Sequence, residues 1–181
     1  MTTNQSCANS DLVIRFGTSS ASVLLGDDLL AGHVTYLGDV EARRARMKPA
    51  IAALADSNFP LEDTSDGQKI LLRWYSADHK SPSPAVIYVH GVGMILGSAK
   101  AYDKIVAVYV AGTRVPFLAV DYRLAPEHTH PIPVNDIYAA LHWLVSHSQE
   151  LGMDGSRIGI TSDSAGGGLA VATALLARQD N

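Results

Sequence analysis

Cysteine is almost absent: Cys7 is the only one in 181 residues. A lone thiol excludes an intramolecular disulfide and a cysteine-based zinc site. It fits a reducing compartment, and a cytoplasmic location is expected. No secretion signal is visible, because the first basic residue is Arg15 and no charged segment precedes an apolar stretch. Charge is also scarce, at 18% of residues, against a usual share of about 25%. Lys and Arg number 14 and Asp and Glu 18, a net charge of −4. Without a basic excess to neutralise phosphates, nucleic acid and anionic membranes are excluded as main partners. Apolar runs such as Ile105–Gly112 and Leu169–Ala177 fall far short of the roughly 20 residues that span a bilayer. What the chain does have is a 47% hydrophobic content. That excludes a disordered chain and is enough to bury a core without covalent staples.

The pattern divides the chain in two. Residues 1–57 read as an N-terminal helical cap segment, with a loose polar start and helical pieces over 11–57 that lack strand character. Within it, Glu41–Leu54 carries Ala45, Met47, Ile51 and Leu54 at helical spacing. Arg43, Arg44, Arg46 and Lys48 lie between them and read as a solvated face. Residues 58–181 alternate strands with helices. Asp66-Gly67 signals a hairpin turn. Gln68–Ser76, Ala85–Val89, Pro116–Asp121 and Arg157–Thr161 read as strands. Lys100–Thr113, Asn135–Leu151 (with Gly152 as its C-cap) and the segment after Ser164 read as helices. This order predicts an α/β fold whose mostly parallel sheet has helices on both faces. Ligands then meet the carboxyl ends of strands.

Three strand ends carry chemistry-bearing residues. After Ala85–Val89 comes His90-Gly91-Val92-Gly93, a turn able to point N–H groups at a developing oxyanion. The same glycines, with Gly97, approximate a dinucleotide fingerprint but are spaced one residue too wide, and Asp121 lies too far on to serve as its acid. After Pro116–Val120 comes Asp121-Tyr122-Arg123-Leu124-Ala125-Pro126-Glu127, in which Asp121, Arg123 and Glu127 are close enough to pair with one another. After Arg157–Thr161 comes Ser162-Asp163-Ser164-Ala165-Gly166, which has the form of a nucleophile elbow with Ser162 in place of the first glycine. A serine N-cap on a glycine-rich helix is the plainer alternative.

In this order, the three motifs resemble the hormone-sensitive-lipase-like carboxylesterases of the α/β-hydrolase fold. The D-Y-R-L-A-P-E match is complete, whereas the glycine turn and the elbow each differ by one residue. The resemblance implies a helical cap, Ser164 as nucleophile, and short-chain acyl esters as substrates. It implies an oxyanion hole from Gly91, Val92, Gly93 and Ala165, supported by His90, Asp121, Arg123 and Glu127. No cofactor and no metal are implied. Val92 stands where the family has glycine and would be strained if that position needs a positive φ.

The family's order is serine, acid, histidine. Here only Asp180 is acidic after Ser164, and all seven histidines precede it: His33, His79, His90, His128, His130, His142 and His147. His142 and His147 read as helix residues. His128 and His130 lack further ligands for a metal. The resemblance therefore implies the N-terminal part of the fold, truncated after the elbow helix, with an esterase activity impaired by the missing acid and base. The strand at 157–161 is expected to form a sheet edge that favours self-association. The alternatives are a non-catalytic small-ligand-binding protein on the same fold and a nucleotide-binding module built on Gly91–Gly97.

Overall fold

The strand Ser83–Val89 (β4) points alternate side chains to opposite sides of its sheet, and five of the seven are buried. Ala85, Ile87 and Val89 join one apolar cluster, and Tyr88 joins another. Two covered faces are why this stretch reads as continuously apolar rather than alternating. The computed structural model describes residues 13–14, 40–41, 44, 61–64, 66–76 and 82–179. Around β4 it places Val13–Ile14 (β1), Leu61–Asp63 (β2), Lys69–Tyr75 (β3), Phe117–Asp121 (β5) and Met153–Ser162 (β6), in the order β1-β6-β4-β5-β3-β2. The pairs β1–β6, β6–β4 and β4–β5 are parallel. The β3 strand runs antiparallel to β5 and closes a hairpin with β2. That hairpin turns at Asp66-Gly67, where Gly67 takes φ +75°.

Helices cover both faces. Ile132–Ser146 (α2) and Gly166–Gln179 (α3) pack on the side of Ile87, Leu118 and Ile160 through Ile137, Leu144 and Leu169. On the other side, Asp103–Thr113 (α1), preceded by a 3-10 turn at Lys100–Tyr102, packs Val106 and Val110 against Tyr88 and Ala119. Arg73 of β3 is buried there and pairs with Asp103 at 2.7 Å, joining the sheet to the first turn of α1. Removing one partner of such a buried pair costs about 3–5 kcal/mol.

Several expectations are corrected. Val13–Ile14 is a strand within the segment read as purely helical; it pairs Val13 with Gly159 and Ile14 with Ile160. Over those residues β6 is therefore not a sheet edge. The helix read as Asn135–Leu151 is Ile132–Ser146, with proline in its first turn, where the absent N–H is not needed. Gly152, at φ +66°, belongs to the turn into β6 rather than to a helix cap. Val40, Glu41 and Arg44 have helical backbone. Among the described residues no helix is long and apolar enough to cross a membrane.

Candidate active site

The elbow occupies the three residues between β6 and α3. Ser164 takes φ +47°, a left-handed conformation that costs a non-glycine residue about 1–3 kcal/mol. Its side chain is exposed, and its Oγ has no hydrogen-bond partner among the described residues. The turn is tight: Gly166 N–H donates to Asp163 O at 2.9 Å and Gly167 N–H to Ser164 O at 3.0 Å. Gly166 is required by contact, since a Cβ there would lie 2.5 Å from Val89 O and 2.7 Å from His90 O. Ser162, standing for a family glycine, pairs with Val89 and is only half-buried. Asp163 accepts a hydrogen bond from the buried Tyr88 hydroxyl. Nothing in the local pattern around Tyr88 points to that contact.

The turn after β4 lies against the elbow. A Cβ on Gly91 would come 2.7 Å from Asp163 O and 3.3 Å from Ser164 Cβ. Val92, Gly93 and Met94 follow at φ +70°, +72° and +62°. Val92 thus adopts a positive φ, the condition under which its β-branched side chain is strained. The N–H groups of Val92, Gly93 and Ala165 have no acceptor among the described residues.

His90 sits beneath this turn, 1% exposed. Its ring stacks on Tyr122, with centroids 4.3 Å apart, and on Tyr102 at 5.6 Å. Its Nδ1 lies 3.2 Å from Gly91 O, a geometry that places the proton of the neutral ring on Nδ1. Burial lowers its pKa to about 4. The Tyr122 hydroxyl donates to His90 O at 2.8 Å. Gly97, at φ +100°, leaves room for the ring, since a Cβ there would meet Nδ1 at 2.8 Å. Tyr102 and Tyr122 complete this stack but carry no sequence signal of it.

The loop after β5 is held differently from expectation. Asp121, Arg123 and Glu127 do not pair with one another; each reaches a separate element. Asp121 accepts the Ala99 N–H at 2.7 Å. Arg123 pairs with Asp136 of α2 at 2.6 Å and with Asp66 of the hairpin at 2.8 Å. Its guanidinium holds the Asp66 carboxyl far below the usual carboxylate range. Glu127 is bound by both terminal nitrogens of Arg44, at 2.7 and 2.8 Å, which lowers its pKa to about 2. Arg44 is therefore not part of a merely solvated face.

The other candidates lie elsewhere. No group of three metal-ligating side chains occurs among the described residues. His142 is exposed and meets Tyr138 edge-on, and His147 stacks on Trp143. His33, His79, Arg43, Arg46, Lys48 and Asp180 lie outside the described residues. A cleft of about 480 Å³, bordered by Lys69, Gly97, Asp121 and His128, does not include Ser164 in its lining.

Comparison with known proteins agrees with this fold. A family profile described as alpha/beta hydrolase fold matches residues 86–181. Carboxylesterase NlhH of Mycobacterium tuberculosis is 43% identical over 95 residues, covering 52% of this chain and 30% of that protein. Ethyl acetate hydrolase of Pseudomonas putida is 34% identical over 152 residues, covering 77% and 48%. The structure of a hyperthermophilic esterase from the archaeon Pyrobaculum calidifontis superposes with a TM-score of 0.74 at 31% identity, over 87% of this chain and 52% of that one. The chain spans about half the length of these relatives, or less. By fold, motif order and matched sequence, the chain belongs to the α/β-hydrolase family, in its hormone-sensitive-lipase-like carboxylesterase group.

Proposed function

We propose that the chain carries the nucleophile and oxyanion-binding part of a serine carboxylic-ester hydrolase acting on short-chain acyl esters. The carrying observation is that Ser164, exposed on a strained φ of +47°, abuts the turn bearing Val92 and Gly93. Ser164 Oγ attacks the ester carbonyl, its proton passes to a base, and the carbonyl oxygen becomes an oxyanion. The free N–H groups of Val92, Gly93 and Ala165 donate hydrogen bonds to that oxyanion, each donor lowering the barrier by about 2.7–4 kcal/mol. Loss of the alcohol leaves an acyl-enzyme that water hydrolyses. Residues 58–181, with β1, supply the hydrolase part, and the remainder of residues 1–57 serves as a cap over the acyl site.

No base for Ser164 is found among the described residues. No histidine follows Ser164 in the sequence, and no histidine hydrogen-bonds to it among the described residues. A serine without its base is a poor nucleophile, and what remains is the roughly 10³–10⁴-fold catalysis over water that binding and the oxyanion hole supply. Hydrolysis of p-nitrophenyl butyrate by the 181-residue chain, compared with Ser164→Ala, tests this. A small rate little changed in Ser164→Ala is expected, and robust Ser164-dependent turnover would contradict it. The strained Val92 favours a second reading, a non-catalytic binder of small acyl ligands. Ligand binding without any reaction at Ser164 would select that reading.

A further inference from the structure

A strained turn persists only when its surroundings hold it in place. Three hydrogen bonds from outside do so here. The Tyr122 hydroxyl donates to His90 O at 2.8 Å, and Ala125 N–H donates to Met94 O at 2.9 Å. The third comes from far away in sequence: Arg44 Nε donates to Ile95 O at 2.8 Å. The same guanidinium donates to Ala125 O at 3.0 Å and binds both oxygens of Glu127. Arg44 thus bridges the two loops already joined by the Ala125–Met94 bond, and its side chain is only 19% exposed. A planar fork is needed to reach two carbonyls and a carboxylate together, and an ammonium cannot supply one.

We infer that Arg44 is a positioning residue: it keeps Val92–Met94 left-handed and so holds the oxyanion donors opposite Ser164. The N-terminal segment then contributes to the reaction through Arg44, not only by covering the site. The inference rests on the reading of Ser164 and of the Val92 and Gly93 N–H groups given above.

The Ala125 amide reports on the arrangement, because its hydrogen bond to Met94 O exists only while the turn is docked. Hydrogen exchange of that amide by NMR is compared with the kinetics of Ser164 labelling by a fluorophosphonate, using the full chain. In Arg44→Ala, Ala125 exchange should accelerate at least about tenfold while the amides of β4 are unchanged. The maximal labelling rate should fall about tenfold or more, with the half-saturating concentration shifted less than about twofold. Arg44→Lys should fail to rescue either measure, and Glu127→Gln should show the same pattern more weakly; these two variants decide the matter if Arg44→Ala does not fold. Unchanged Ala125 exchange in a folded variant would overturn the inference, as would faster exchange with an unaltered labelling rate. A parent chain that is not labelled at Ser164 would instead overturn the nucleophile reading, and the exchange comparison would still decide whether Arg44 holds the turn.

Discussion

Gly91 and Asp163 meet backbone to backbone: a Cβ on Gly91 would fall 2.7 Å from the Asp163 carbonyl oxygen. This contact brings together the ends of two neighbouring parallel strands, β4 and β6. Ser164 follows the second of these strand ends, and Val92 and Gly93 follow the first.

Close approach makes some glycines irreplaceable and leaves others tolerant. Gly166→Ala forces a methyl group onto the carbonyls of Val89 and His90 and should cost about 3 kcal/mol or more in urea unfolding. Gly67→Ala, at φ +75° with nothing within 4 Å, meets only backbone strain and should cost about 1–2 kcal/mol. Equal losses at the two positions would show that the elbow is not closely packed.

Val92 holds φ +70° with a β-branched side chain. Val92→Gly removes a strain of about 1–3 kcal/mol and adds about 0.5–1 kcal/mol of unfolded-state entropy. A net gain of about 1 kcal/mol, seen as a higher Tm, is expected, with the labelling rate of Ser164 undiminished. A fall in Tm would mean that the valine side chain contributes packing that outweighs its strain.

Burial holds the His90 ring neutral and lowers its pKa from 6.5 to about 4. Between those values the unfolded chain binds the additional proton, so acid favours unfolding. The stabilisation is complete above pH 6.5 and is lost as pH falls through 4, a change of about 3 kcal/mol. His90→Gln should flatten the stability profile in that window. Glu127, held down to about 2 by the Arg44 hydrogen bonds, acts in a lower one: its contribution is present above pH 4.5 and is lost as pH falls through 2. Urea midpoints measured at half-unit pH steps separate the two effects.

Local period and turn chemistry made much of the frame legible. The apolar runs at Ala85–Val89 and Phe117–Val120 are strands because both faces are covered, and Asp66-Gly67 turns because glycine accepts φ +75°. The small residues around Ser164 marked the elbow. Choices of long-range partner were not legible. Val13–Ile14 is a strand only because β6 offers it a free side. Asp121, Arg123 and Glu127 are near one another in sequence, yet Ala99, Asp136, Asp66 and Arg44 offer them better geometry. The Tyr88–Asp163 contact likewise follows from the adjacency of β4 and β6, which no local pattern records.

The central claim is that Ser164 is a nucleophile facing oxyanion donors, and its most direct test is the site of reaction with a fluorophosphonate, mapped by mass spectrometry on the 181-residue chain. Slow, stoichiometric phosphonylation of Ser164, abolished in Ser164→Ala, is the predicted result. No adduct, or an adduct on another residue that persists in Ser164→Ala, would contradict the account.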